Sequence, residues 1–258
     1  MKDSAFSADG NRVHFEVDGV GDPALVFVHG WSCDRTYWAL QMKHFAARYR
    51  VVAMDLAGHG ESSMDREEWT MARFGEDVVA VVEKLELGRS VLIGHSMGGD
   101  VIIEAGLRLP ERLAGLVWVD VYRRLVARTR IELEEFLDPF RRDFVAATKD
   151  LVHGMFPAGS DPTLVGWVAA DMSAAPRALA LEALEHAVEN LEAVLAGLPK
   201  LTAPLVAINP DYLPTDVEGF RRQEVKAVIM PGVGHFPMME DPDAFNRLLA
   251  GTIAEFEA

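Results

Sequence analysis

The apolar run Val91-Leu92-Ile93 leads directly into Gly94-His95-Ser96-Met97-Gly98 and then into a helical pattern from Asp100 to Leu109. Few backbones accommodate such a stretch: it reads as strand, sharp turn and helix, with a serine at the tip. Glycines two residues before and two after Ser96 leave room for a strained turn that lifts the hydroxyl clear of a sheet. This is the G-x-S-x-G nucleophile elbow with the flanking elements it needs, and Ser96 is the candidate nucleophile. The bland alternative is a glycine-rich turn carrying a passive serine.

The rest of the chain supplies a setting for that turn. Residues Arg12 to Val17 alternate like a strand, followed by turn chemistry at Asp18-Gly19 and Gly21-Asp22-Pro23. The apolar runs Ala24 to Val28, Val51 to Met54, Val91 to Ile93 and Leu113 to Val119 read as strands buried on both faces. Helical patterns separate them at Thr36 to Ala47, Met71 to Leu87 and Asp100 to Leu109. Strands alternating with helices predict an α/β fold with a mostly parallel sheet covered on both faces. Pro204 to Ile208 and Val225 to Met230 add two strands, and Pro242 to Phe256 closes the chain as a helix capped by Asp241.

Between Val121 and Lys200 the strand signal stops, and amphipathic helices punctuated by Gly154, Pro157-Ala158-Gly159 and Pro176 take over. Helices inserted between two strands must sit over an edge of the sheet. Ligands of open α/β sheets bind outside the carboxyl ends of the strands, so an insertion leaving from such an end is expected to cover the site. The expected organisation is a core of residues 1–120 and 201–258 with a helical lid at 121–200.

Composition narrows the function. A net charge of −15 over 258 residues, with no long basic stretch, argues against nucleic acid and anionic membrane surfaces as partners. The Met1-Lys2-Asp3-Ser4 start lacks an apolar signal core and no run reaches transmembrane length. One cysteine, Cys33, permits no intrachain disulfide. Together these lead to the expectation of a cytoplasmic protein. The eight histidines lack metal-ligand spacing, and Gly58-His59-Gly60 lacks the setting of a dinucleotide site, so no metal and no cofactor is expected. The expected partner is a small-molecule substrate; oligomeric state is not legible.

A serine hydroxyl needs a base, a carboxylate to orient that base, and two donors for the oxyanion. For the base, His235 lies in Gly232-Val233-Gly234-His235-Phe236, a turn at the end of a strand. His95 adjoins Ser96 and is expected to line the wall, with His29 and His59 in glycine turns near the same edge. His14, His44, His153 and His186 read as structural or exposed. For the oxyanion, the Met97 N–H follows the nucleophile, and the Trp31 N–H in His29-Gly30-Trp31 is the expected second donor.

These pieces, with Asp55-Leu56-Ala57-Gly58-His59-Gly60-Glu61-Ser62 between them, stand in an order that resembles the α/β-hydrolase family and spans nearly the whole chain outside the lid. The resemblance implies an eight-stranded, mostly parallel sheet, a serine–acid–histidine triad and a variable cap. The acid departs from the usual pattern. Where many members carry aspartate in a Gly-x-x-Asp turn, this chain reads Asn209-Pro210-Asp211-Tyr212-Leu213-Pro214-Thr215-Asp216. The family's other acid position, at the end of the strand after the elbow helix, holds Asp120. Glu111 to Asp120 resembles the matching strand of some haloalkane dehalogenases. Asp120 is the favoured acid, with Asp211 and Asp216 open.

A serine rather than an aspartate at the elbow disfavours dehalogenase and epoxide-hydrolase chemistry and favours hydrolysis of a carboxylic ester through an acyl-enzyme. Amide, lactone or thioester hydrolysis, C–C bond hydrolysis and perhydrolysis use the same groups, and a small-molecule-binding protein with little turnover is the alternative from another class. Phe136, Phe140, Trp167, Phe236 and Met238, with His95, are the candidate pocket residues. Leu137, Met155, Phe156, Met172 and Met239 share their apolar character. Arg123, Arg124, Arg128 and Arg130 are expected on a solvated helix face paired with Glu132, Glu134 and Glu135, with a substrate carboxylate as their alternative partner.

Overall fold

The structure, a computed structural model, describes residues 1–257. In chain order its elements are β1 (Lys2–Phe6), β2 (Arg12–Asp18), β3 (Ala24–Val28), α1 (Ala39–Phe45), β4 (Val51–Met54), α2 (Met71–Lys84), β5 (Ser90–His95), α3 (Met97–Arg108) and β6 (Leu113–Val119). Five helices follow: α4 (Arg130–Arg142), α5 (Phe144–Gly154), α6 (Pro162–Ser173), α7 (Arg177–Glu189) and α8 (Leu191–Gly197). The chain then returns to the sheet as β7 (Leu205–Pro210), α9 (Val217–Arg222), β8 (Lys226–Met230), α10 (Pro237–Glu240) and α11 (Pro242–Glu257).

The eight strands form one sheet in the order β1-β2-β4-β3-β5-β6-β7-β8. Only the β1–β2 and β2–β4 pairings are antiparallel. The central strands β3, β4 and β5 are buried along their whole length, as continuous apolar runs sandwiched between helices should be. From β3 the chain moves first to one side, to β4, and later to the other, to β5. The crevice at the carboxyl ends of β3 and β5 is therefore the topological switch point, where α/β sheets bind ligands. His29-Gly30-Trp31 leaves β3 there, and Ser96 leaves β5 there.

Two local expectations are corrected. The expected helix from Thr36 to Ala47 is a 3₁₀ turn at Arg35–Trp38 joined to a shorter α1, with the Asp34 side chain capping Thr36 N–H. The edge strand β1 was not expected; it is mostly exposed and lacks apolar alternation. In the insertion, Thr129 and Glu132 form a reciprocal capping box at the start of α4. Asp143 and Asp161 cap α5 and α6. No helix among the described residues is long and apolar enough to cross a membrane.

The loop after β4 is anchored by buried charge. The Asp77 carboxylate on α2 accepts the Ala57 N–H and pairs with Arg66, whose other side reaches Asp9. Burial pushes the Asp77 carboxyl up, against the pull of the guanidinium. Replacing Arg66 by Met leaves that carboxylate buried without its cation, which costs about 3–5 kcal/mol. Urea denaturation of Arg66→Met is expected to show a loss of this size; a midpoint equal to wild type would exclude it.

Candidate active site

The parallel ladder through β5, β6 and β7 continues past the last residues of β5 and β6. Ser96 N–H donates to Val119 O at 3.0 Å, and Asp120 N–H donates to Ile208 O at 3.0 Å. Ser96 and Asp120 therefore leave neighbouring strands at adjacent levels. Both then adopt left-handed backbone, φ +51° at Ser96 and φ +49° at Asp120, a conformation that costs a non-glycine residue about 1 kcal/mol or more. Ser32, in the loop after β3, is a third such residue at this edge, with φ +55°.

The elbow's glycines are required by contact. A Cβ on Gly94 would collide with the Gly98 carbonyl, and one on Gly98 would lie 2.5 Å from His29 O and 2.7 Å from Val28 O. The helix that follows Ser96 thus starts directly against the end of β3. Gly30 completes the fit: a Cβ there would sit 3.1 Å from Ser96 Cβ. Neither the Met97 N–H nor the Trp31 N–H is donated to any acceptor among the described residues. Both residues line the cavity that Ser96 lines.

His235 is reached from the other end of the chain. Its Nδ1–H donates to Asp120 Oδ2 at 2.7 Å, because a carboxylate only accepts. That leaves Nε2 as the ring nitrogen open to proton transfer. The turn is pinned on all sides. His235 N–H donates to Met155 O at 2.8 Å, and His235 O accepts His95 Nε2–H at 2.8 Å. Glu240 accepts the Gly234 and Phe236 N–H groups. Asp211 instead accepts the Gly232 N–H from an exposed position, and Asp216 caps α9 through the Gly219 N–H.

Residues 25–248 match the alpha/beta hydrolase family. The chain belongs to that family. Among curated proteins, the acetyltransferase component of the acetoin cleaving system of Pseudomonas putida is 29% identical over 90% of this chain. The chain spans only 64% of that relative, and 30% of its Cupriavidus necator counterpart. A pimeloyl-[acyl-carrier protein] methyl ester esterase of Nitrosospira multiformis is 26% identical, covering 91% of this chain and 96% of its own length. An esterase from Thermogutta terrifontis superposes over the whole of both chains with a TM-score of 0.84 at 22% identity. Est816, described as degrading N-acyl homoserine lactones, gives 0.82 at 24% identity over 96% of this chain and 99% of its own. At these identities the two structures speak to the fold alone.

In this family member the space above Ser96 is a cavity of about 660 Å³. His95, Phe136 and Phe236 line it, as do Met155 and Met172 from the inserted helices. Phe140, Trp167 and Met238 do not. Phe140 packs behind the wall, edge-on to Trp31 at 5.7 Å. Trp167 is 43% exposed and lies against Tyr37. Met238 is fully buried beneath the site, its carbonyl taking the Gln41 amide. Helical spacing shows which residues are apolar, but not which of two apolar faces meets a void.

The arginine expectation is corrected in part: Arg124, Arg128 and Arg130 are exposed, but none forms an ion pair with Glu132, Glu134 or Glu135 among the described residues. Glu132 is spent on the Thr129 cap and Glu134 on Arg141, so neither pairs with the arginines after Asp120. Arg124 and Arg128 line the cavity, Arg128 with its guanidinium over the Phe136 ring. Arg123 turns back to Asp120. Burial holds His29 down to about 4 and His59 to about 3, and pushes His95 well below its ordinary value, so all three are neutral rings. Burial pushes the Cys33 thiol far up, leaving it unreactive at neutral pH.

Asp100 was not foreseen as a wall residue. It sits one turn into α3, is 3% exposed and lines the cavity. Tyr122 O–H donates to it at 2.6 Å, while the Asn190 amide lies alongside without a well-aligned bond. Burial pushes its carboxyl up to about 7. Such a group holds its proton more tightly folded than unfolded. Its contribution to stability is thus complete below its ordinary value of 3.8 and is lost as pH rises through about 7. In urea titrations between about pH 4 and about pH 8, wild type is expected to lose stability that Asp100→Asn keeps. Parallel curves for the two proteins would contradict this.

Proposed function

We propose that the protein is a serine hydrolase that cleaves a carboxylic ester of a small, largely apolar substrate through an acyl-enzyme on Ser96. The observation that carries this reading is the 2.7 Å hydrogen bond from His235 Nδ1 to Asp120 Oδ2, made at the edge of the cavity that Ser96 lines. With Nδ1–H committed to Asp120, Nε2 takes the Ser96 proton as Oγ attacks the ester carbonyl. The negative oxygen that forms is met by the Met97 and Trp31 N–H groups, two donors with no competing acceptor to displace. Collapse of the tetrahedral intermediate passes the proton from His235 to the leaving alcohol. Water then adds to the acyl-enzyme, giving its proton to His235, which passes it to Ser96 Oγ as the free acid departs.

The inserted helices α4–α8 act as the cap: residues from α5 and α6 face Ser96 across the cavity and exclude bulk water. A cavity of about 660 Å³ suits a small molecule. The methyl ester esterase among the relatives and the aromatic and methionine lining support an ester with an apolar acyl or alcohol part.

A chain-length series of p-nitrophenyl esters tests the reading. Ser96→Ala is expected to lower kcat about 10⁶-fold, the scale of nucleophile removal in other serine hydrolases. Asp120→Asn is expected to lower it about 10⁴-fold, by fixing the wrong histidine tautomer. Asp211→Asn and Asp216→Asn should change it little. No turnover of any ester by folded wild type would overturn the proposal and direct the search to C–C bond substrates and to ligand binding.

A further inference from the structure

The carboxylate facing His235 carries a second partner. Arg123 Nη2 comes within 2.5 Å of Asp120 Oδ1, as an ion pair without hydrogen-bond alignment. Oδ2 takes the His235 Nδ1–H and, at 3.2 Å, the Tyr212 O–H. The guanidinium is fixed from its far side. Nη1 donates to Pro210 O at 2.5 Å and to Leu213 O at 3.2 Å, and the group lies 4.6 Å over the Tyr212 ring. Burial and the nearby Asp120 charge push the Tyr212 hydroxyl up, so it remains a donor. The loop after β7, where relatives often carry their acid, here supplies a clamp for an acid borne by β6.

We infer that Arg123, held by Tyr212, is a positioning residue: it fixes the plane of the Asp120 carboxylate so that Oδ2 meets His235 Nδ1. The inference rests on the ester-hydrolase reading above. A carboxylate free to rotate would offer either oxygen, and a cation anchored on Oδ1 removes that freedom. The other groups facing His235 hold its turn and not its acid. His95, 4.6 Å away by ring centroids, donates to His235 O. Glu240 is engaged with the Gly234 and Phe236 N–H groups. Among the described residues Arg123 is thus the one permanent cation paired with Asp120, and it lies on the oxygen that His235 does not use.

The test measures kcat and KM on a neutral p-nitrophenyl ester, so that Arg123, which also lines the cavity, makes no ionic contact with substrate. Arg123→Met removes both the charge and the anchor. Its kcat should fall about 10–100-fold as Asp120 loses its hold, with KM little changed. Arg123→Lys should recover only part of that loss, because an ammonium keeps the charge but not the planar fork. Tyr212→Phe should lower kcat less than Arg123→Met does. A kcat in the folded Met variant equal to wild type, or a loss that appears in KM and not in kcat, overturns the inference. If Arg123→Met is unfolded by circular dichroism, Arg123→Gln against Arg123→Lys makes the same comparison of charge. Labelling by a fluorophosphonate separates this result from the underlying reading. Wild type that labels at Ser96 and turns over ester while the Arg123 variants match its kcat sinks only the role of Arg123. Wild type that neither labels nor turns over sinks the hydrolase reading.

Discussion

Two backbone hydrogen bonds, Ser96 N–H to Val119 O and Asp120 N–H to Ile208 O, carry the parallel ladder one step past the ends of β5 and β6. Both residues they hold turn into left-handed backbone. A strained residue persists only where its surroundings over-determine it. Here the sheet fixes each turn from one side, while α3 on Gly98 and the Arg123 clamp fix it from the other. The proposed chemistry at the edge therefore depends on strand register: a slip of one residue would send Ser96 and Asp120 to opposite faces.

Buried polar groups around this edge follow one rule. Each is either neutral or closely partnered. The Asp55 carboxylate accepts the Arg35 and Glu61 N–H groups and pairs with the Arg35 guanidinium, which also reaches Glu16 and Glu61. This network holds the loop after β4 against the start of the 3₁₀ turn. His29, which accepts the Leu56 N–H, and His59 are discharged by burial instead. The edge is closely hydrogen-bonded where the proposed chemistry needs placed donors, and its polar interior adds little net charge.

Much of this was legible in the sequence because it is dictated locally. The elbow follows from glycine spacing, the buried strands from uninterrupted apolar runs, and the final helix from Asp241, whose carboxylate accepts the Ala244 N–H, and Pro242. Asp120 was favoured as the acid from its place at the end of an apolar strand, and it is the carboxylate that touches His235. What sequence could not supply depends on folding at long range. Tyr212 reaches Asp120 across 92 positions, and Trp31 meets α7 across 149. Arg123 read as one of a run of surface arginines because nothing local shows that its chain doubles back. Phe140, Trp167 and Met238 share apolar character with Phe136 and Phe236, and only the packing of α4, α6 and α10 decides which of them faces a void.

The Trp31 indole extends this logic to motion. Its Nε1–H donates to Ala180 O on α7 at 2.7 Å, so the loop offering the Trp31 amide is tethered to an inserted helix. Any swing of α7 away from the sheet either drags that loop along or strands a buried N–H, at a cost of about 1–3 kcal/mol. Access to the cavity and the alignment of one of the two proposed anion donors are consequently geared together: on the proposed reading, the molecule is best prepared to stabilise a negative oxygen when it is shut.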